Sequence, residues 1–327
     1  LFKFVKLVMA TNKNETKYAT CYTPARFWSV WKEENEEWLD SWLERTVEGR
    51  LPTTQDKNII SLFHPKRLLE ITRYFTLFDK DIKKVARYQQ FFAIREIIKT
   101  IEQRDKDGNR QSGVIWHTQG SGKSLTMVML ARYILSELHQ YNPKVVVVTD
   151  RISLDKQIHK TFRHSRLKAS RATTGSHLVD LINDHNADVI TSLVHKFDTA
   201  AKHEINNSKD IFVLVDESHR TQYGELHLRM KKVFPNACYL GFTGTPLMKK
   251  EKNTMIRFGK LIHKYTIADG VRDKTIVPLL YEGRMVEQSV NKKALDKRLE
   301  IITRNLNEKQ KKEVEQRWSN YEKLASS

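Results

Sequence analysis

Along residues 113–246, short and almost continuous apolar runs alternate with longer amphipathic stretches. Apolar runs of this kind are typical of strands that are buried on both faces of a parallel sheet. Each run is followed by a polar turn, and the strand-and-turn segments are residues 114–122, 144–150, 188–197, 211–219 and 237–246. The alternation predicts an α/β fold with a doubly wound, mostly parallel sheet, in which functional residues lie at the carboxyl ends of the strands.

The residues before this region have a pattern that predicts helices. Residues 66–78 have a helical pattern, and residues 79–105 are predicted to form a long helix with an apolar face. Four tryptophans fall within fifteen positions, namely Trp28, Trp31, Trp38 and Trp42. We interpret residues 24–79 as a small helical connector whose tryptophans are buried against a neighbouring domain, with stacking on nucleic-acid bases as the alternative.

The charge balance indicates a class of partner. The chain has 57 Lys and Arg residues against 39 Asp and Glu residues, which gives a formal net charge of +18. Such an excess favours a polyanionic partner such as nucleic acid, with a solvated basic surface as the alternative. The two cysteines are too few for a disulfide framework or a zinc cluster. Because the chain has no apolar stretch of about 18 residues and no signal peptide, we expect a soluble, cytoplasmic protein without a membrane partner.

Residues 113–124, GVIWHTQGSGKS, hold the strongest candidate site. A predicted strand runs into a glycine-rich turn, and Lys123 opens an amphipathic helix, which is the order that a phosphate-binding loop requires. The glycines let backbone N–H groups point at an anion, Lys123 can reach the phosphates, and Ser124 can ligate magnesium. The predicted ATP-binding residues of the loop are Thr118, Gln119, Gly120, Ser121, Gly122, Lys123 and Ser124. One residue departs from the usual pattern, because His117 stands where the first glycine is expected.

A pair of carboxylates follows the apolar run at residues 211–215. Asp216 is predicted to hold magnesium beside Ser124, and Glu217 to polarise the attacking water as a general base. Adjacent side chains on a strand point to opposite faces, so both carboxylates reach one site only where the strand ends. The candidate catalytic residues are therefore Lys123, Asp216 and Glu217.

Two further segments could couple the state of the nucleotide to the rest of the chain. A histidine close to the general base, His219, could change hydrogen-bond partners with the nucleotide state. The hydroxyls of Thr243 and Thr245 could meet it, and the candidate coupling residues are His219, Thr243, Gly244 and Thr245. A satisfied core histidine and a capping threonine are the alternatives.

Together these segments resemble the motifs of superfamily 2 helicases and translocases. Residues 118–124, 216–219 and 241–246 are similar to motifs I, II and III, and residues 150–157 and 190–197 resemble motifs Ia and Ib. Arg87, followed three residues later by Gln90, resembles the Q motif of that superfamily, which implies that both bind ATP and that Gln90 reads the adenine edge. An amide suits this task because it both donates and accepts hydrogen bonds.

The closer resemblance is to the restriction (R) subunit of type I restriction-modification enzymes. It is found in residues 1–18, 115–118, 216–224, 241–246, 262–269 and 272–284. The third residue of motif II is Ser218 rather than the alanine of many relatives, which leaves both carboxylates in place. The resemblance implies an ATP-driven translocase of double-stranded DNA in a bacterial or archaeal cell. It further implies a RecA-like fold, ATP and magnesium as cofactors, and modification and specificity subunits as partners.

By the same resemblance we expect three segments. Residues 1–78 are interpreted as the end of a nuclease domain and the Trp-rich connector, residues 79–284 as the first RecA-like lobe, and residues 285–327 as a helical bridge toward a second lobe. A coiled-coil face is the alternative for the last segment. The chain begins at Leu1 without Met, and it shows neither a nuclease Asp nor an arginine-finger motif after residue 284. We therefore expect a fragment that holds half of the ATP site.

Two other functions stay open at this point. One is a different superfamily 2 enzyme, such as a chromatin-type remodeller or an RNA helicase. The other is a nucleotide-gated DNA-binding module that binds ATP without turnover. The adjacent Asp216 and Glu217 count against the second alternative, because a pure binder has little use for a water-polarising Glu.

Overall fold

The computed structural model describes residues 4–79, 82–165, 167–184, 186–202, 205–216, 223–244, 258–278, 292–304 and 306–314. The chain divides into two compact units, residues 1–277 and 278–327. The three functional segments expected from the sequence stay a prediction.

The described strands form one large sheet and two small hairpins. The strands are β1 (Val8–Thr11), β2 (Thr16–Ala19), β3 (Thr76–Asp79), β4 (Ile82–Val85), β5 (Gly113–His117), β6 (Lys144–Thr149), β7 (Ala169–Arg171), β8 (Val189–Leu193), β9 (Ile211–Asp216), β10 (Cys238–Thr243) and β11 (Leu261–Tyr265). The large sheet has seven parallel strands in the order β11-β5-β10-β9-β6-β8-β7. The pairs β1–β2 and β3–β4 are antiparallel.

Helices cover both faces of the large sheet. The described helices are α1 (Glu36–Thr46), α2 (Thr54–Phe63), α3 (Pro65–Arg73), α4 (Tyr88–Glu102), α5 (Lys123–Glu137), α6 (Ile152–His164), α7 (Gly175–Asn183), α8 (Lys196–Ala200), α9 (Tyr223–Val233), α10 (Ile267–Arg272) and α11 (Lys292–Thr303). Side chains of α4, α5 and α6 belong to one buried apolar cluster, and those of α7, α8 and α9 belong to another.

The strand β6 shows why the apolar runs in the sequence are continuous. Val145 and Val147 belong to the first cluster, whereas Val146 and Val148 belong to the second. Side chains alternate between the two faces of a strand, and here both faces are covered, so every position is apolar. The predicted doubly wound α/β fold is confirmed, and its large sheet is parallel throughout the described strands.

The structure corrects the predicted helices at residues 66–78 and 79–105. The first helix ends at Arg73, and the second begins at Tyr88. Between them lies the hairpin β3–β4, in which Phe78 pairs with Lys83. Each strand of this hairpin has four residues, and the charged residues of β4 resemble the polar face of a helix. The alternation typical of a strand therefore extends over too few residues to be recognised beside the helical patterns that flank it.

The Trp-rich connector packs on α4 through Trp31. This side chain is 3% exposed, and its ring lies 5.3 Å from that of Phe91 and 5.8 Å from that of Tyr18. The guanidinium of Arg67 lies 4.3 Å from the ring of Trp38 and forms an ion pair with Glu33. Burial, rather than stacking on bases, is therefore the confirmed interpretation for Trp31.

The second unit contains α11 and a further helical stretch at residues 308–314. The first of these helices ends at Thr303. Residues 315–327 lie outside the described residues. Among the helices that the structure describes, none is long and apolar enough to cross a membrane.

Candidate nucleotide-binding site

The carboxyl ends of three neighbouring strands meet at one edge of the sheet. In the register of the sheet, Thr243 of β10 pairs with Trp116 of β5, and Phe242 pairs with Asp216 of β9. A cleft of about 760 Å³ lies at this edge. It is lined by residues that include Gln119, Gly120, Gly122, Lys123, Ser124, Asp150, Arg151, Asp216 and Gly244. The topology thus brings the predicted phosphate loop and the predicted magnesium ligand to the same cleft.

The loop between β5 and α5 has the backbone of a phosphate cradle. Gly120 and Gly122 adopt φ angles of +83° and +93°, which L side chains rarely adopt. Ser121 lies between them and is 1% exposed, and its buried hydroxyl has no hydrogen-bond partner among the described residues. A buried hydroxyl without a partner is unfavourable unless a ligand supplies one. This arrangement fits a ligand with several oxygen atoms, such as a phosphate chain.

Lys123 is the first residue of α5 and lies at the floor of the cleft. Its Nζ donates to the main-chain oxygen of His117 at 3.3 Å. A Cβ atom at position 244 would lie 3.0 Å from the same Nζ. Gly244 therefore leaves the space that the lysine occupies. Asp216, at the end of β9, is 4% exposed and lines the same cleft.

Gln90 is placed beside the phosphate loop by the first turn of α4. Its Oε1 accepts from the backbone N–H of Arg87 at 2.9 Å, and its Nε2 donates to the carbonyl of Gly122 at 3.1 Å. A Cβ atom on Gly122 would lie 2.6 Å from that Nε2. The amide therefore ties the start of α4 to the loop. Its predicted reading of adenine stays a prediction, as does the role of Arg87.

A chain of hydrogen bonds behind the loop was not foreseen from the sequence. His117 Nε2 and His263 Nδ1 are 2.9 Å apart, and His263 Nε2 lies 3.0 Å from a carboxylate oxygen of Glu34. An ionised Glu34 accepts only, so His263 Nε2 donates to it. If His263 is neutral, its Nδ1 accepts and His117 Nε2 carries the proton. The connector, β11 and the phosphate loop are linked in this way.

The environment of His117 opposes its protonation. The side chain is 1% exposed, and burial lowers its pKa well below the usual value, with further contributions from the nearby His263 and Lys123. A neutral imidazole adds no positive charge behind the loop. The substitution of the usual glycine by His117 therefore gives the loop an uncharged, hydrogen-bonded support.

The other predicted site residues divide into two groups. Thr243 is fully buried at the end of β10. The residues Glu217, His219 and Thr245 lie outside the described residues. Within the described part of the chain, no group of three or more His, Cys, Asp or Glu side chains could hold a metal ion by itself.

A parallel α/β sheet with a glycine-rich loop, a lysine and a serine at its carboxyl edge defines the class of phosphate-loop proteins. Residues 89–312 match the SWI2/SNF2 ATPase family, and the chain belongs to that family.

The comparison with known proteins also confirms the resemblance to R subunits. The chain is 30% identical over 333 residues to the putative type I restriction enzyme MjaIXP endonuclease subunit of Methanocaldococcus jannaschii, covering 96% of this chain and 32% of that protein. It is 33% identical to the type I restriction enzyme HindI endonuclease subunit of Haemophilus influenzae, covering 80% of this chain and 26% of that protein. The chain thus spans about a third or less of the length of these relatives.

Among solved structures, the chain is similar to a nuclease-deletion mutant of the Type ISP restriction-modification enzyme LlaGI in complex with a DNA substrate mimic. The TM-score is 0.47 at 15% sequence identity, covering 67% of this chain and 22% of that chain.

Proposed function

We propose that the chain is the ATP-binding and ATP-hydrolysing motor lobe of the R subunit of a type I restriction enzyme. In this function it drives the translocation of double-stranded DNA before cleavage. The observation that carries the proposal is the meeting of Lys123, Asp216 and Gly244 at one cleft. Membership of the SWI2/SNF2 ATPase family and the similarity to restriction endonuclease subunits support it.

The phosphates of ATP would bind at residues 118–124. Lys123 would neutralise part of their charge, and the unpartnered hydroxyl of Ser121 would donate to a phosphate oxygen. Ser124 and Asp216 would hold magnesium, which supplies charge stabilisation at the phosphate oxygens when it is bound. Glu217, the residue after Asp216, would orient and deprotonate the attacking water.

The proposal also defines the surroundings of the motor. Double-stranded DNA is its polymeric partner, which agrees with the net charge of +18. Modification and specificity subunits would select the DNA site, and the assembly would work in the cytoplasm. As an enzyme it would be the ATP-dependent subunit of a type I site-specific deoxyribonuclease. A nuclease site and a second motor lobe would be supplied by other segments of the enzyme.

A second candidate is a chromatin-type translocase or another helicase of the same superfamily. Membership of the SWI2/SNF2 ATPase family is the observation that favours it. The two candidates share the chemistry of the ATP site and differ in whether the motor works with a nuclease.

The test is ATP turnover by the full gene product that contains this chain, with duplex DNA, single-stranded DNA or RNA added. Stimulation by duplex DNA, with loss of turnover in Lys123→Ala, is the expected result. Glu217→Gln is expected to bind ATP and to lose turnover, because it keeps the shape of the side chain but not the base. Stimulation by RNA alone would contradict a DNA motor. Normal turnover in Glu217→Gln would contradict the assigned base.

A further inference from the structure

A second pocket of about 330 Å³ lies apart from the cleft and shares no lining residue with it. It is formed where residues 15–32 meet the first turn of α4 and the segment that follows α10. We propose that this pocket binds a phosphate group. None of the residues that line this pocket lines the cleft, although Arg87, which the resemblance assigns to ATP, is one of them. The test of the proposal therefore rests on Gln89, Arg26 and Lys274.

The charges that line the pocket favour an anion. Six Lys or Arg side chains line it against two carboxylates, those of Glu15 and Asp273. Both carboxylates are already neutralised, since Glu15 pairs with Lys17 at 2.7 Å and Asp273 pairs with Lys32. Three further cations form no ion pair with any residue that the structure describes, namely Arg26, Arg87 and Lys274. The pocket therefore has an excess of positive charge that its own acids do not balance.

A buried amide in the pocket lacks a partner. Gln89 lines the pocket and is 1% exposed, and its buried Nε2 makes no hydrogen bond to any residue that the structure describes. Leaving such a donor unpaired is costly, and unpaired donors are rare in folded proteins. Gln90, the next residue, has both amide atoms bonded. An oxygen atom of an anionic ligand would accept a hydrogen bond from the Nε2 of Gln89. The same ligand would pair with the cations around it.

The backbone at the pocket also suits an anion. Gln89 lies in the first turn of the 15-residue helix α4, where the helix dipole favours negative charge. The N–H groups of Arg87 and Gln90 in this turn already have acceptors within the helix end. A neutral base is a poorer fit, because Lys32 lies 5.7 Å from the centre of the Tyr88 ring and covers it.

Phosphate groups reach such a pocket from two sources. One source is the backbone of a DNA duplex, and the other is a free phosphorylated small molecule. Both present the same charged oxygens to an arginine, which can bind them through two parallel hydrogen bonds. An experiment with one arm for each source distinguishes them.

The experiment uses the chain with Lys123→Ala, so that the phosphate loop contributes as little as possible. In the first arm, sodium pyrophosphate is added and the increase in Tm is measured, since a ligand that binds only the folded state stabilises it. In the second arm, a fluorescent duplex is titrated at several salt concentrations. Both arms compare Gln89→Leu and the pair Arg26→Gln with Lys274→Gln. The matched control is the pair Lys231→Gln with Lys232→Gln on α9, which removes the same charge from exposed positions outside the pocket.

A free phosphate ligand predicts that pyrophosphate raises the Tm and that both pocket variants, but not the control, lose the increase. A DNA backbone predicts that the pocket pair weakens duplex binding roughly tenfold or more and lowers the salt slope by about 0.9 per lost contact. The control pair is then expected to have a smaller effect on both quantities. The proposal is overturned if the pocket variants behave like the control in both arms.

Discussion

The neighbouring glutamines of α4 provide a matched pair for testing the hydrogen bonds at the phosphate loop. Gln89 and Gln90 are 1% and 3% exposed; Gln90 forms two side-chain hydrogen bonds, whereas the Nε2 of Gln89 forms none with the described part of the chain. Leucine has nearly the volume of glutamine and removes the amide without leaving a large cavity. We therefore compare Gln89→Leu with Gln90→Leu by urea unfolding.

The expected difference follows from the bonds that each substitution removes. Gln90→Leu leaves the N–H of Arg87 without its acceptor, which costs about 1–3 kcal/mol, and it loses the bond to Gly122, worth about 1 kcal/mol. The Gly122 carbonyl still accepts from the N–H of Thr126 at 3.1 Å, so it is not left unpaired. The free energy of unfolding should fall by about 2–4 kcal/mol. Gln89→Leu removes an unsatisfied amide and should stay within about 1 kcal/mol of the original chain.

Equal unfolding free energies for the two variants would refute this assignment of the hydrogen bonds. The same variants test whether Gln90 reads adenine. If Gln90 only positions the loop, Gln90→Leu should lower the binding affinities for ATP and GTP by the same factor. If its amide contacts the adenine base, the substitution should lower the affinity for ATP more than the affinity for GTP.

Two further predictions concern the site, and a third concerns the two cysteines. Gly244→Ala should displace the ammonium group of Lys123, because the new Cβ lies 3.0 Å from it. The affinity for nucleotide should then fall, while the free energy of unfolding in urea should change by about 0.5 kcal/mol or less. Because folding lowers the pKa of His117, the unfolded chain binds the proton more tightly than the folded chain. The free energy of unfolding should therefore fall as the pH drops below about 6.5. In urea unfolding, His117→Phe should remove up to about 1.4 kcal/mol per pH unit from this dependence. Burial raises the pKa of Cys238 to about 12, so iodoacetamide at pH 8 should label the half-buried Cys21 and leave Cys238 unmodified in mass spectra of the folded chain.

Contradictory results for these predictions are equally specific. Unchanged nucleotide affinity in Gly244→Ala would mean that the lysine does not need the space at that position. An unchanged pH slope in His117→Phe would mean that folding does not lower the pKa of His117. Rapid labelling of Cys238 would mean that β10 opens to solvent.

The sheet and the phosphate loop could be predicted because their signals are local in the sequence. Strand β6 has an apolar residue at every position from Val145 to Val148, since each face packs against a buried cluster. The loop is a continuous segment in which the glycines and Lys123 have fixed spacing. The hairpin β3–β4 was missed because its strands are short and partly charged, so its pattern merges with that of the adjacent helices.

The hydrogen-bond chain behind the loop could not be predicted for a different reason. His117 and His263 are 146 residues apart, and Glu34 is 229 residues from His263. No local pattern links the three positions: His117 and His263 meet because β11 pairs with β5, and Glu34 reaches His263 from the connector. The unpartnered amide of Gln89 was hidden in the same way, since the sequence does not distinguish it from the bonded amide of Gln90.

The most direct test of an ATP site in this chain is equilibrium binding of a fluorescent ATP analogue, with and without magnesium, to the chain and to Lys123→Ala. We predict saturable binding that magnesium strengthens and that Lys123→Ala weakens roughly tenfold or more, while circular dichroism shows an unchanged fold. Equal binding by a folded Lys123→Ala variant would show that residues 118–124 do not hold the phosphates. The proposed motor function would then lose its chemical basis.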